Sequence, residues 1–110
     1  FIADNDITGV VVITGDIHSG GGIDDGTNSR IPEITVPTTN IQNSNCTGGY
    51  CGEWSESVWI GHQPAGFATV TLGYDQSQLE HQLTLQTWAS DGVERLRLDL
   101  SPEAAVPSGH

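Results

Sequence analysis

The chain has 110 residues, with 14 Asp and Glu against 3 Lys and Arg and a formal net charge of -11. This length allows one domain or part of one, and the composition, 35% hydrophobic and 15% charged, excludes a disordered acidic tail and a membrane-spanning protein. The net negative charge of the chain disfavours nucleic acid as a stable partner and disfavours membrane insertion. It favours the binding of cations.

The first part of the chain predicts a helix end followed by a buried strand. Residues 1–6 (FIADND) are typical of the frayed end of a helix, and residues 8–14 (TGVVVIT) form a β-branched run. A continuous apolar run of this length is typical of a strand buried on both faces, as in the central sheet of an α/β fold. It leads into residues 15–22 (GDIHSGGG), at the edge where open α/β sheets bind their ligands.

The middle of the chain is predicted to be mostly loop. Residues 20–28 are rich in Gly and Asp, residues 31–36 (IPEITV) predict a short strand, and residues 38–65 predict a long irregular loop. Cys46 and Cys51 enclose a short segment with two glycines, which can bring their Cβ atoms within disulfide range. Buried or free thiols are the alternative to this disulfide.

The last third predicts three antiparallel strands. The alternating segments are residues 66–74, 79–88 and 93–100. Asp91-Gly92 is a strong signal for a hairpin between the last two segments. We therefore expect a three-stranded meander in residues 66–100, with one buried face that includes Leu79 and one wet face.

Asp16 and His18 are the most informative polar pair. They stand just past the predicted buried strand, where a carboxylate and an imidazole can converge on one cation or one phosphoryl oxygen. Asp supplies a hard oxygen ligand, and His supplies a neutral nitrogen that suits Fe, Zn or Mn. The alternative is an Asx-type turn that carries a surface histidine.

Other polar residues give weaker signals. Asp24 and Asp25 are candidate calcium ligands, with a solvated acidic loop as the alternative. Arg30 is the cation nearest to this loop and a candidate phosphate contact, with an ordinary surface arginine as the alternative. Asn40 and His62 are candidate substrate-binding groups beside Asp16 and His18, although residues of these types are more often ordinary loop residues.

Residues 10–22, VVVITGDIHSGGG, resemble the last metal motif of the alkaline phosphatase D (PhoD-like) family of metallophosphoesterases, in which a hydrophobic strand ends in GDxH. The order of the later segments is similar as well. A strand ending in TVP is followed by a variable loop, a strand that begins with GF, and a closing antiparallel pair. The resemblance covers nearly the whole chain and is specific at GDIH.

The resemblance implies that Asp16 and His18 are catalytic metal ligands of a centre that holds calcium and iron, or other divalent and trivalent ions. The enzyme would hydrolyse phosphate monoesters or diesters in an extracellular or periplasmic location. The family's earlier motifs are absent from the sequence. Residues 1–110 would therefore be a single incomplete domain, the C-terminal portion of a catalytic domain completed by the rest of the polypeptide or by a companion chain.

The expected fold class is α/β but β-rich: the C-terminal part of a metallophosphoesterase-type β-sandwich flanked by helices, ending in a loose tail at 102–110. Two other functions stay open. The chain could be a non-catalytic acidic extracellular β module that binds calcium through Asp24 and Asp25, or a structural and assembly segment without chemistry. A transition metal near His18 would favour the enzyme, and calcium alone near the two aspartates would favour the module.

Overall fold

The described architecture consists of β-strands and their connections. The computed structural model describes residues 1–2, 4–15, 20–37, 52–57 and 65–101. Its strands are Val12–Thr14 (β1), Gly22–Asp24 (β2), Glu33–Thr35 (β3), Glu56–Ser57 (β4), Gly66–Asp75 (β5), Glu80–Ala89 (β6) and Glu94–Leu100 (β7). The predicted β-rich character is confirmed, whereas these ranges contain none of the flanking helices that the α/β expectation included.

The residues before β1 form a turn of the kind that ends helices. The N–H of Asn5 donates to the carbonyl oxygen of Phe1 (3.1 Å), and the N–H of Ile7 donates to that of Ile2 (3.0 Å). Asp6, inside the second ring, has a left-handed φ of 52°. This combination is the Schellman pattern of a helix C-terminus. The helix end predicted at residues 1–6 stays a prediction, because the described residues here form a turn and not a helix.

The first sheet, here called the mixed sheet, holds four very short strands in the order β1-β3-β2-β4. β1 runs parallel to β3, with Ile13 beside Ile34, and β2 runs antiparallel to β3 and β4, with Ile23 also beside Ile34. β3 confirms the strand predicted at 31–36, but β2 and β4 lie in segments predicted as loop. A single isoleucine in a three-residue strand gives no detectable alternation, which is why the sequence did not reveal β2.

β1 is an edge strand, and the prediction of a central strand buried on both faces is wrong for the described residues. Within that part of the chain its one hydrogen-bonded neighbour is β3, and the Ile13 side chain is 60% exposed. Val11 and Val12 are half-buried, and Val11 packs against the core. The apolar run suits a strand covered on two faces, but Ile13 is largely exposed although it lies on the same side of β1 as Val11.

The second sheet is the predicted antiparallel meander, in the order β5-β6-β7. The register places Leu85 beside Leu98, and the predicted turn at Asp91-Gly92 joins the last two strands, with a φ of 88° at Gly92. Leu79 differs from the prediction. It lies in the turn between β5 and β6, has a φ of 55° and is 76% exposed, because the turn and not the strand fixes its direction.

The two sheets pack face to face around one small core. Ile23 and Ile34 of the mixed sheet lie in the same buried cluster as three leucines of the antiparallel sheet, Leu85, Leu96 and Leu100. All five side chains are at most 9% exposed. β2 lies against β6 and β7, so that the described residues form a β-sandwich.

The mixed sheet covers only one end of the antiparallel sheet. A three-residue strand spans about 10 Å, whereas the ten-residue strands β5 and β6 span about 33 Å. Beyond the covered end, Val70, Leu72 and Tyr74 lie on the core-facing side of β5 but are 42%, 70% and 52% exposed. These three residues are called the uncovered apolar face below.

Some predicted features lie outside the described residues. They are the Cys46–Cys51 disulfide, the tail at 102–110 and most of the loop at 38–65, of which the described part contains β4. None of the described ranges forms a helix of the length and hydropathy needed to cross a membrane.

Gly66→Ala should destabilise the sandwich. A Cβ at this position would overlap the carbonyl oxygen of Trp88 and lie 3.2 Å from the Cβ of Pro37. Because the obstacles are backbone and a proline ring, we expect a loss of about 2 kcal/mol in the free energy of unfolding, measured in urea.

Gly73→Ala, in the same strand, is the control. Its added Cβ would lie 3.9 Å from the nearest atom, the carbonyl oxygen of Gln82, so stability should stay the same or rise slightly. Equal stability of the Gly66 and Gly73 variants would contradict the close approach of β5 to Pro37.

Candidate functional site

The predicted metal ligands Asp16 and His18 lie outside the described residues. The residues on either side of their segment, Gly15 and Gly20, are described. After β1 the chain enters the segment at Gly15, and it returns at Gly20 just before β2. The roles of Asp16 and His18 therefore stay predictions. The structure establishes the surroundings of the two segment ends.

Gly15 and Gly20 lie at one edge of the sandwich, which is called the carboxyl edge below. The parallel strands β1 and β3 both end there, and just past them the N–H of Val36 donates to the carbonyl oxygen of Thr14 (2.9 Å). β2 begins at the same edge because it is antiparallel to β3. β5 begins there as well, since Gly66 closely approaches Pro37.

The segments that hold Asn40 and His62 are joined to the same edge, although both residues lie outside the described ranges. Asn40 follows shortly after Pro37, and His62 shortly precedes Ala65. Ala65 is held beside the end of β6, because its carbonyl oxygen accepts a hydrogen bond of 2.7 Å from the N–H of Ser90. The chain path thus connects the predicted metal and substrate segments to one edge.

The backbone at the carboxyl edge is crowded enough to require glycine. Gly21 has a φ of 96°, and a Cβ there would lie 3.0 Å from the carbonyl oxygen of Thr35 and 3.1 Å from Cγ of Pro37. Conformation and space both exclude a side chain. Gly21 lets the chain pass close to the end of β3.

Arg95 is a candidate that the sequence analysis missed. Strict alternation in β7 would place Glu94 on the core side with Leu96 and would point Arg95 outward. Instead, a β-bulge pairs Trp88 with Glu94 and makes Arg95 the extra residue. The side chain turns towards the carboxyl edge, where its Nη1 lies 3.5 Å from the carbonyl oxygen of Gly20. The one available signal was that two polar residues precede Leu96.

Arg95 brings positive charge to an acidic molecule. Its side chain is half-buried; burial lowers the pKa of the guanidinium, and the charge of Asp91 acts in the opposite direction. Arginine nevertheless stays protonated at neutral pH. The carboxyl edge therefore carries a fixed cation in a chain of net charge -11.

Arg30 lies at the other end of the mixed sheet. β2 runs away from the carboxyl edge and β3 returns to it, so the connection that holds Arg30 is about 10 Å from that edge. Arg30 is exposed, has a φ of 70°, and donates its N–H to the carbonyl oxygen of Gly26 (3.0 Å). Its position does not support the predicted phosphate contact.

The end of the mixed sheet opposite the carboxyl edge is called the distal end. There the buried carboxylate of Asp24 accepts hydrogen bonds from the surrounding loops. Its Oδ2 accepts hydrogen bonds from the N–H groups of Gly26 (3.0 Å), Asn28 (3.1 Å) and Ser29 (3.0 Å). Its Oδ1 accepts from Nδ2 of Asn28 (2.7 Å) and from the N–H of Ser55 (3.2 Å). The carboxylate thus ties the β2–β3 connection to the residue before β4. The sequence signal was an Asp followed by Gly, Asn and Ser, which is typical of Asx turns.

The ionised form of Asp24 is strongly stabilised. Burial by itself would raise the pKa, but hydrogen bonds from Ser29 and Asn28 outweigh burial and hold the pKa of Asp24 well below its ordinary value of 3.8. The side chain is 0% exposed, so this anion is neutralised by hydrogen-bond donors and not by solvent.

These contacts disfavour the predicted calcium site at Asp24 and Asp25. A calcium ion needs oxygen lone pairs that point towards it, whereas both oxygens of Asp24 face N–H donors. Oδ1 of Asp25 accepts hydrogen bonds from the N–H of Thr27 (2.9 Å) and from Oγ of Ser55 (2.9 Å). These hydrogen bonds lower the pKa of Asp25. Across the described ranges, no group of three or more His, Cys, Asp or Glu could hold a metal ion.

Asp24→Asn should destabilise the fold and flatten its acid dependence. The amide would direct donor hydrogens at existing donors, so we expect a loss of about 3 kcal/mol at neutral pH, measured by urea unfolding. Because the folded pKa of Asp24 lies below the unfolded value, its contribution is present above about pH 4 and is lost as pH falls through the folded pKa. The difference between wild type and variant should therefore shrink in acid.

Asp75→Asn is the matched control for Asp24. Asp75 also accepts hydrogen bonds in a turn, from the N–H of Ser77 (2.8 Å) and of Gln78 (3.3 Å), but these bonds are exposed. The Asp75 variant should stay close to wild type. A pH-independent loss in the Asp24 variant, or equal losses in both, would contradict the assigned role of the buried carboxylate.

Comparison of the chain with protein-family models, with curated proteins and with solved structures gives no match. The functional argument therefore rests on the residues of this chain. Its sequence supplies the GDIH motif, and its described structure supplies the carboxyl edge, Arg95 and the uncovered apolar face.

Proposed function

We propose that this chain is the C-terminal portion of a secreted, metal-dependent phosphatase or phosphodiesterase, in which Asp16 and His18 belong to the metal centre. The observation that carries the proposal is the segment VVVITGDIHSGGG at residues 10–22, which resembles the last metal motif of PhoD-like metallophosphoesterases. The expected location is extracellular or periplasmic, and the expected ions are calcium and iron.

The strand topology supports the placement of such a motif. β1 is parallel to β3, and ligands of sheets with parallel strands commonly bind beyond the carboxyl ends of those strands. The segment with Asp16 and His18 follows β1 directly at this edge. A carboxylate and an imidazole in this segment are therefore joined to the part of the fold where a ligand would be expected.

The donor types fit the proposed ions. Asp16 offers a hard carboxylate oxygen, which suits calcium and iron, and His18 offers a neutral nitrogen, which suits iron. A bound metal centre supplies an activated water and offsets negative charge on the phosphoryl oxygens. Hard cations take about six donors, so Asp16 and His18 need further ligands from the rest of a larger protein.

The uncovered apolar face supports the view that more protein is needed. Val70, Leu72 and Tyr74 point towards the core side of the antiparallel sheet, yet they are 42%, 70% and 52% exposed. Ile13 on the edge strand β1 is exposed as well. Contiguous apolar surface of this kind marks contact with further protein, which agrees with the proposed C-terminal portion of a catalytic domain.

Asp16→Asn in the full-length protein should lose bound metal and most phosphoesterase activity, because a neutral amide is a much weaker ligand than a carboxylate. Metal content is measured by plasma mass spectrometry and activity with p-nitrophenyl phosphate and bis-p-nitrophenyl phosphate. Asp75→Asn, in an exposed turn, is the control and should keep both. Metal at wild-type stoichiometry in the Asp16 variant would refute the assignment.

The isolated 110-residue chain should be inactive. Its sequence supplies two of the required metal ligands and leaves apolar surface uncovered, so added calcium and iron should give no ester hydrolysis above the metal-only background. Robust turnover by the isolated chain would show that the site is complete within these residues and would overturn the proposed incomplete domain.

A further inference from the structure

The face of the antiparallel sheet that points away from the core, here called the outer face, carries two aromatic rings at one end. Phe67 of β5 lies beside Trp88 of β6, with the ring planes 13° apart and the ring centroids 6.2 Å apart. The indole Nε1–H of Trp88 donates to Oγ1 of Thr69 (2.8 Å), which fixes the orientation of the indole. Phe67 is 43% exposed and Trp88 is half-buried. The two nearly parallel rings are called the aromatic platform below.

Polar side chains occupy the same face next to the aromatic platform and are joined in pairs. Oδ1 of Asp99 accepts a hydrogen bond from Oγ1 of Thr84 (2.8 Å), and Oδ2 accepts one from Nε of Arg97 (3.3 Å). Nε2 of Gln86 donates to Oε1 of Glu94 (2.8 Å). The side chains of Arg97 and Asp99 are 53% and 42% exposed. The outer face therefore presents hydrogen-bond donors and acceptors side by side to solvent.

This combination matches the chemistry of a sugar ring. A pyranose with equatorial hydroxyls has two faces of C–H groups, which pack on aromatic rings, and a rim of hydroxyls that both donate and accept hydrogen bonds. The aromatic platform offers the apolar contact. The guanidinium of Arg97 and the carboxylate of Asp99 offer a donor and an acceptor to two neighbouring hydroxyls, and hydrogen bonds to charged groups are the stronger ones.

The charges of the chain favour a neutral ligand on this face. A net charge of -11 repels nucleic acid and anionic lipid, whereas an uncharged glycan meets no such repulsion. On the outer face itself, the charge of Arg97 is paired with that of Asp99. The centre of a protein–protein interface is depleted of charged residues, so the charged side chains of Glu94, Arg97 and Asp99 make this face a poor match for another protein.

We propose that the outer face of the antiparallel sheet binds a neutral glycan of equatorially linked pyranoses, with sugar rings stacked on Phe67 and Trp88. The Arg97–Asp99 pair binds hydroxyl groups on the rim of a sugar ring. This inference does not depend on the proposed phosphoesterase function, because the outer face lies on the side of the sheet opposite the core and all the residues that it uses are described.

The test is a calorimetric titration of the full-length protein with three neutral β-1,4-linked glycans: cellohexaose, xylohexaose and chitohexaose. Phe67→Ala should weaken binding by about tenfold, because it removes half of the aromatic platform. Arg97→Gln should weaken binding by about threefold, because it removes charged donors. Tyr74→Ala is the matched control and should bind as wild type, since Tyr74 is an exposed aromatic residue of the same strand on the core-facing side.

Each outcome decides for or against the glycan site. A wild type that binds none of the three glycans, unchanged affinity in Phe67→Ala, or equal weakening in Phe67→Ala and Tyr74→Ala would overturn it. Self-association that Phe67→Ala abolishes, measured by sedimentation velocity without glycan binding, would show that the platform contacts protein instead. If Phe67→Ala does not fold, Phe67→Leu decides, because leucine keeps apolar bulk without a ring: wild-type affinity contradicts stacking.

Ester hydrolysis, measured in parallel, separates this inference from the proposed function. Phe67→Ala should hydrolyse p-nitrophenyl phosphate as wild type does, because the small ester carries no glycan. Glycan binding by a protein that hydrolyses no ester would refute the proposed function and leave the glycan site intact. Ester hydrolysis without glycan binding would overturn the glycan site alone.

Discussion

The packing of Ile23 and Ile34 against the leucines of β6 and β7 is the contact on which the described structure depends. The strands of the mixed sheet have two or three residues each, too few to form a stable sheet alone. Burial of one isoleucine contributes about 1.5–3 kcal/mol. Because these two side chains anchor β2 and β3, they also fix where β1 ends and where the segment with Asp16 and His18 begins.

The two ends of the mixed sheet carry charged groups of opposite sign in different surroundings. At the distal end, the Asp24 carboxylate is buried and saturated by N–H donors, so its charge is used within the fold. At the carboxyl edge, β1 and β3 end and β2 and β5 begin, and the bulge in β7 directs the guanidinium of Arg95 there. The Gly- and Asp-rich sequence around Asp24 suggested either a calcium site or a solvated acidic loop, and the hydrogen bonds show that the Asp24 carboxylate is instead used within the fold.

The sequence predicted the antiparallel sheet well because its strands are long enough to show alternation. Leu96 and Leu100 are buried, as their spacing indicated, and the Asp91-Gly92 turn lies between β6 and β7 as expected. Shorter features carried no such pattern. β2 has one apolar side chain, β4 has two residues, and the bulge changes the direction of only Glu94 and Arg95, so each depends on tertiary contacts that local sequence does not encode.

The incomplete cover of the fold and the incomplete ligand set of the proposed site have one common explanation. β1 has a described neighbour only on the β3 side, and its apolar run fits a strand covered on two faces. A strand added in parallel beside the other edge of β1 would end at the carboxyl edge, and so would any polar residues that follow it. Protein that buried Ile13 would thus also be well placed to supply further ligands to the metal site proposed at Asp16 and His18, and completion of the sheet would then be coupled to completion of that site.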